Sequence, residues 1–357
     1  MSAPPDVTIA GAGIIGLATA AAASQRGLTV LLIGDQRAGE ASSAAAGMLA
    51  PSIERAVGPA HDFAVAARDR YPAYVEELAE HTGIRVPLNR LGILQVALTE
   101  AGVKGLRRTA LPNSQWIERR ELAVLEPTLG HAIGAVLNPE DGAVDNVTLM
   151  RALAALVDAS PLVTRLEGTV VKVTRDGAHP RVDVAAGESF ESQWVVIAGG
   201  AWSTLIGGFP LLASVQPSRG QLIAYDAIGL RHAVYGPRGY LVPRVNIQTI
   251  AGTTMESVGY DPTTTPEGLE RVRSAAEEIA PALSITPVQS AWAGLRPVTP
   301  DLLPLLGPDP DDPHVIYACG HSRNGILLAP LTADVVAAMV AGDAISHDLT
   351  QFRPDRF

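Results

Sequence analysis

The chain has 357 residues, with 27 Lys and Arg against 37 Asp and Glu, a formal charge of −10 with histidine neutral. An acidic chain without a Lys/Arg run lacks the basic face that a phosphate-backbone binder needs, which argues against a nucleic-acid partner. Hydrophobic residues at 47%, charged residues at 18%, 34 Gly and 27 Pro describe a compact α/β enzyme and exclude a disordered or fibrous chain.

At roughly 150 residues per unit, the length allows two to three domain units. The single cysteine, Cys319, excludes an intrachain disulfide and a cysteine-based metal cluster, and no metal site is expected. The longest apolar stretch, Ile9 to Ala23, is mostly Ala and Gly and falls short of the roughly 18 strongly apolar residues of a membrane span. No basic segment precedes it, so neither a span nor a cleaved signal peptide is expected. The expectation is a soluble cytoplasmic protein.

Val7-Thr8-Ile9-Ala10 predicts a short strand that leads into Gly11-Ala12-Gly13-Ile14-Ile15-Gly16 and an Ala-rich helix to about Arg26. Gly27 closes that helix, and Leu28 to Ile33 follows as a buried parallel strand, completing a βαβ unit. In that context Gly11 permits the tight turn, Gly13 lets the backbone approach a pyrophosphate, and Gly16 allows close helix packing. The acid that would hold a ribose normally follows the second strand directly; here Gly34 intervenes and the candidate is Asp35.

The run Ala41-Ser42-Ser43-Ala44-Ala45-Ala46-Gly47-Met48 consists of small residues without an amphipathic period, suited to close approach to something flat. Phe63 to His81 has helical spacing, closed by Thr82-Gly83. Residues 84–137 mix strands and short helices. A helix from Leu149 to about Val157 follows, with Asn146 as its expected N-cap.

Strands are predicted at Thr169 to Val173, Arg181 to Ala185 and Trp194 to Gly200. The last ends in a double glycine before Ala201-Trp202-Ser203, the kind of strand end where α/β folds bind ligands. Gln221 to Tyr225, Tyr240 to Val245 and Thr249 to Gly252 alternate as strands, with a helix from Pro266 to Ile279. These predict a second domain inserted into the first; a contiguous split is the alternative. Strand His314 to Ala318 and helix Ile326 to Val340 return to nucleotide-domain character.

Trp292-Ala293-Gly294-Leu295-Arg296-Pro297-Val298-Thr299-Pro300-Asp301 and Ala318-Cys319-Gly320-His321-Ser322-Arg323-Asn324-Gly325-Ile326-Leu327-Leu328-Ala329-Pro330, with the two N-terminal runs, carry a family resemblance. The chain resembles the glycine oxidase (ThiO-type) members of the D-amino-acid oxidase and sarcosine oxidase group of FAD-dependent amine oxidoreductases. The likeness is closest at 7–51, 194–203 and 291–330 and loosest at 84–137.

The resemblance implies an α/β, two-domain fold: a Rossmann-like FAD domain (1–83, 138–214 and 290–357) interleaved with an antiparallel-sheet substrate domain (84–137 and 215–289). It implies oxidation of glycine, sarcosine or small D-amino acids by hydride transfer from the α-carbon to flavin N5. The products are an imine or glyoxylate, ammonia and hydrogen peroxide. It assigns Arg296 to the substrate carboxylate, with Tyr240 and Arg323 beside it and Met48 on the pocket wall.

Cofactor contacts follow for Gly11, Gly13, Ile14, Ile15 and Gly16, for Asp35, and for Ser42, Ser43, Ala46, Gly47 and Met48. They follow also for Val171, Gly200 and Trp202, and for His321, Ser322, Arg323, Asn324, Gly325, Ile326 and Leu327. Covalent-flavin sarcosine oxidases place a Cys where this chain has Gly294, so FAD is expected to bind noncovalently. Oxygen as acceptor, thiazole synthase as a partner in thiamine thiazole synthesis, and a homotetramer are further implications.

The residue chemistry agrees: a planar guanidinium matches a carboxylate with two parallel donors, and hydride transfer from a neutral amine needs no strong base. Gly325 would start a helix whose dipole stabilises a reduced, anionic flavin. The alternatives are a D-amino-acid oxidase or a dehydrogenase with another acceptor, an NAD-dependent dehydrogenase, and a noncatalytic flavin-binding module.

Overall fold

A computed structural model describes residues 4–54, 56–175, 177, 179–244 and 247–357. Two large sheets organise them. The first has six strands in the order Leu305–Pro308, Val315–Cys319, Trp194–Ile197, Val7–Ala10, Val30–Gly34 and Val163–Glu167. All neighbours are parallel except the Leu305–Pro308 edge.

Both faces of this sheet are covered, which is why its strands read as unbroken apolar runs. Val7, Ile9, Val30 and Leu32 point into a core shared with the helices Ile14–Gln25, Pro59–Thr82, Asn146–Ala159 and Gly325–Ala341. The alternate residues, Leu31 and Ile33 among them, pack against a three-stranded antiparallel sheet, Val170–Thr174, Arg181–Val184 and Ser189–Glu191.

The second sheet has eight strands in the order Val288–Val298, Gln216–Asp226, Gln248–Gly252, Tyr240–Arg244, Ala233–Tyr235, Ile93–Ala97, Gly134–Asn138 and Gln115–Glu118. Its pairs are antiparallel except Ala233–Tyr235 with Ile93–Ala97. One face buries Ile223, Tyr225 and Leu241 against the helix Pro266–Ile279. Thr265 caps that helix, its hydroxyl accepting the Gly268 N–H at 3.1 Å. The chain supplies the two large sheets in turn: strands within 7–34 enter the first, 93–138 the second, Val163–Glu167 and Trp194–Ile197 the first, 216–298 the second and 305–319 the first.

The structure corrects several local expectations. Asp145, not Asn146, caps the Asn146–Ala159 helix: its carboxylate accepts the Thr148 N–H at 2.8 Å. Asn146 is thereby free to accept from Arg244 at 2.7 Å and to donate to the Ser42 carbonyl at 2.9 Å. The small-residue run, for which no element is predicted, forms a short helix, Ala41–Ala44, and a strand, Met48–Leu49. The Trp194–Ile197 strand stops before its glycines, and a 3-10 turn spans Gly200–Leu205. Val245, the expected end of the Tyr240 strand, lies outside the described residues. Among the described residues no helix is long and apolar enough to cross a membrane.

Candidate active site

Between the two sheets lies a cavity of about 620 Å³ whose wall runs from Ala10 to Ile326 in sequence. One end is built from backbone. Gly11 adopts φ +119°, and a Cβ there would stand 2.4 Å from the Ala198 carbonyl oxygen. Gly16 does not reach the wall; a Cβ on it would stand 1.8 Å from the Gly11 oxygen, so its smallness lets the helix touch the turn. Gly13 is the N-cap, and Ser42 Oγ accepts the Ile14 N–H at 3.0 Å. The N–H groups of Ile15 and Gly16 have no partner among the described residues, leaving a helix N-terminus that suits a pyrophosphate.

The Val30–Gly34 strand runs one residue further than the sequence suggested, so Asp35 follows it directly and sits on the wall. Beside it, Arg37 donates to Thr169 Oγ1 at 2.7 Å and lies 5.3 Å over the Trp202 ring. Trp202 in turn stacks on Tyr260. Val171 lies where the register of its strand shifts; it is exposed, lines the cavity and accepts the Gly207 N–H with its carbonyl.

In the middle, Ala46, Gly47 and Met48 line one side and Gly200 and His321 through Ile326 the other. Gly47 has φ +77°, and a Cβ would stand 2.1 Å from the Val144 oxygen. Ser322 holds φ +51°, its N–H bound to the Pro297 carbonyl at 2.8 Å, and its hydroxyl is buried without a partner among the described residues. Asn324 is the N-cap of the Gly325–Ala341 helix without a side-chain cap. The N–H groups of Gly325, Ile326 and Leu327 are unpaired among the described residues.

Two expected contacts do not reach the cavity by their side chains. Ser43 is exposed on the far side of the Ala41–Ala44 turn and faces a second, neighbouring cavity. Leu327 is buried in the helical core. Gly294 packs against Ala44, with a Cβ position 2.5 Å from that methyl. Cys319 is on the wall, but burial pushes its thiol up to about 12.

The other end is built from side chains of the eight-stranded sheet. Arg296 donates through Nη1 to the Thr254 carbonyl at 3.2 Å and through Nη2 to Thr253 Oγ1 at 2.8 Å. No carboxylate pairs with it among the described residues. Gly220 makes the space, since a Cβ there would lie 2.2 Å from the guanidinium. Burial pulls the Arg296 pKa down, opposed by the adjoining Tyr240. A desolvated guanidinium without an acid is a receptor for one.

Tyr240 faces Tyr235 across an antiparallel pair, rings 5.7 Å apart. Burial raises both phenols, so they remain neutral donors. Tyr235 and Thr253 were not anticipated. The signal for the first was present: Tyr235-Gly236-Pro237-Arg238-Gly239-Tyr240 is a Gly/Pro turn between two strands, which sets its flanking tyrosines side by side.

Arg323 lies on the wall but gives Nη2 to Glu54 Oε2 at 2.6 Å, with 45% of its side chain exposed. Its charge is met by an acid that the sequence reading did not single out. Burial lowers the His321 pKa to about 3, so the ring is neutral, with Nε2 against Thr332 Oγ1 at 3.2 Å.

A glycine-walled groove lined by two helix N-termini with unpaired N–H groups among the described residues, and with an orphaned Ser322 hydroxyl beside one of them, fits a flavin dinucleotide. A family model for FAD dependent oxidoreductases matches residues 6–339. The chain belongs to the FAD dependent oxidoreductase family. Its cofactor is therefore FAD, and it is an enzyme.

Among relatives of this FAD dependent oxidoreductase, a bifunctional protein ThiO/ThiG of Synechocystis sp. is 34% identical over all of this chain. This chain spans only 55% of that protein's length. A glycine oxidase of Geobacillus kaustophilus is 33% identical, the match covering 97% of this chain and 96% of that one. The crystal structure of glycine oxidase from Geobacillus kaustophilus superposes with a TM-score of 0.91 at 32% identity, covering 99% of both chains.

Proposed function

We propose that this chain oxidises glycine and other small amines, sarcosine and small D-amino acids among them, to the imine, with oxygen as electron acceptor and hydrogen peroxide as product. The observation that carries this reading is Arg296, a half-buried guanidinium on the cavity wall with no acid of its own among the described residues. Likeness to glycine oxidases over nearly the whole chain supports it.

When bound, FAD supplies two-electron redox chemistry, the acceptance of hydride from a substrate α-carbon. Arg296 has already spent one donor on Thr254 and one on Thr253, and its remaining N–H groups receive the substrate carboxylate. Tyr240 and Tyr235, neutral, close the sides of that receptor. Such a clamp fixes the α-carbon by fixing the carboxylate. Neither His321 nor Glu54 is poised as a base: His321 is neutral and tied to Thr332, and Glu54 is paired with Arg323. The amine therefore reacts as the free base.

The same reading divides the chain into an FAD-binding domain (1–83, 138–214 and 290–357) and a substrate domain (84–137 and 215–289). The cofactor is held noncovalently, since Gly294 offers no thiol beside the Ala41–Ala44 turn. The ThiO/ThiG relatives support delivery of the glycine imine to a thiazole synthase for thiamine; a cytoplasmic homotetramer belongs to the same reading.

The test is anaerobic mixing of the holoenzyme with glycine, sarcosine, D-alanine and D-proline while flavin absorbance is followed, then admission of air and a peroxide assay. Bleaching by glycine with peroxide on reoxidation is expected. Bleaching without peroxide would mean another electron acceptor, and no bleaching by any of the four would sink the amine oxidase reading.

A further inference from the structure

The helix Gly325–Ala341, whose first turn lines the cavity, contains Pro330. Proline has no N–H, so the carbonyl four residues earlier, that of Ile326, loses its helical donor and meets the pyrrolidine ring instead. In this structure that carbonyl is not left orphaned. The hydroxyl of Tyr71, a fully buried side chain on the Pro59–Thr82 helix, donates to it.

The peptide unit that Tyr71 grips has a second end. Its N–H is that of Leu327, one of the three unpaired donors of the first turn. Because the peptide is planar and trans, its C=O and N–H point in opposite directions. A donor on the carbonyl therefore orients the N–H out of the helix N-terminus and polarises it. This also gives Leu327 a route to the cofactor that its buried side chain lacks. A second tie, His321 Nε2 with Thr332 Oγ1, holds the approach to the same turn.

We propose that Tyr71 is a positioning residue for the flavin: its phenol replaces the main-chain donor that Pro330 cannot supply, and so sets the first turn of the Gly325–Ala341 helix against the cofactor. A core tyrosine needs some acceptor for its hydroxyl. What separates Tyr71 from that ordinary case is its acceptor, the very carbonyl that the helix proline disables. The proposal rests on FAD occupying the cavity and not on which amine is oxidised.

The experiment is a double-mutant cycle of Tyr71→Phe and Pro330→Ala. Each variant is titrated with FAD as apoprotein, and the midpoint potential and visible spectrum of the holoprotein are recorded. Tyr71→Phe should weaken FAD binding about three- to tenfold, the cost of one buried hydrogen bond, and move the potential to more negative values. Pro330→Ala supplies the missing N–H, so in that background Tyr71→Phe should change both quantities less than about twofold in equilibrium terms.

Affinity and potential untouched by Tyr71→Phe overturn the proposal, as do equal shifts in both backgrounds. Should Tyr71→Phe alone fail to fold, recovery of a folded, FAD-binding protein by the double variant supports it. A double variant that also fails to fold overturns it.

Discussion

The two ends of the cavity are made from different materials. At the dinucleotide end the wall is backbone: Gly11, Gly13 and Gly16 clear the way, and the first N–H groups of the Ile14–Gln25 helix are left unpaired among the described residues. At the amine end the wall is side chain: Arg296, Tyr240, Tyr235 and Thr253 converge from four segments of one antiparallel sheet and its connections. A backbone site tolerates no added atom, whereas a side-chain site tolerates exchange and changes what it binds. Variants at the two ends should therefore fail in different ways.

The largest effect is expected from Gly16→Ala. Its methyl would lie 1.8 Å from the Gly11 oxygen, so the helix must move off the turn. A loss on the order of 3 kcal/mol or more in stability is expected, with FAD lost on gel filtration. A variant that melts as the parent does and stays yellow would show that the contact is soft.

Arg296→Ala comes next and should spare the fold and the flavin. Losing the charge-assisted clamp should cost about 1.5 to 3 kcal/mol, read as a rise of about 10- to 150-fold in KM for glycine with FAD retained. An unchanged KM would remove Arg296 as the carboxylate receptor. Tyr240→Phe should raise KM about three- to tenfold, the share of one neutral hydrogen bond.

Arg323→Ala should matter less than either, below about 1 kcal/mol, because its partner Glu54 and the solvent already satisfy it. Steady-state kinetics of the two arginine variants side by side decide the point; equal losses would mean that Arg323 leaves Glu54 to bind substrate.

A last effect lies away from both ends and concerns pH. Asp141 is fully buried, with Oδ1 accepting from Ser52 and Arg68 and Oδ2 without a partner among the described residues. Burial outweighs those partners and pushes its pKa up to about 6. A raised carboxyl binds its proton more tightly in the folded state. Its stabilising contribution is therefore full below about pH 4 and is lost as pH rises through about 6. Asp141→Asn should flatten that part of the stability profile in melts between pH 4 and 7.

The contrast between the two ends also explains what the sequence revealed. Close approach of backbone to ligand demands glycine at fixed spacing, and a βαβ unit surrounds it, so residues 7–34 could be read from pattern alone. Asp35 needed only the strand end, which extended by one residue. The amine end has no such grammar. Arg296 before a proline is an unremarked arginine until a strand register pairs it with Ser218, which lays its guanidinium over Gly220 and within reach of Thr253, and only family likeness singled it out.

The roles of Glu54, Thr253 and Tyr235 depend on partners 269 residues away, 43 residues away and across a turn, and no local pattern marks such pairs. Asn146 was misjudged for a simpler reason. Two adjacent residues could each cap the helix, and the buried Arg244 recruited one of them.

The strand order of the six-stranded sheet bears on how the protein is made. Its central strand, Val7–Ala10, pairs with Trp194–Ile197, which in turn awaits Val315–Cys319. At roughly 5–20 residues per second of synthesis, the first strand waits on the order of 15 to 60 s for the last to emerge. Until then the cavity lacks the part of its wall that residues 318–326 supply. The nascent chain thus carries the fingerprint of a nucleotide site long before it can hold a nucleotide, and cofactor capture waits on the segment that begins the Gly325–Ala341 helix.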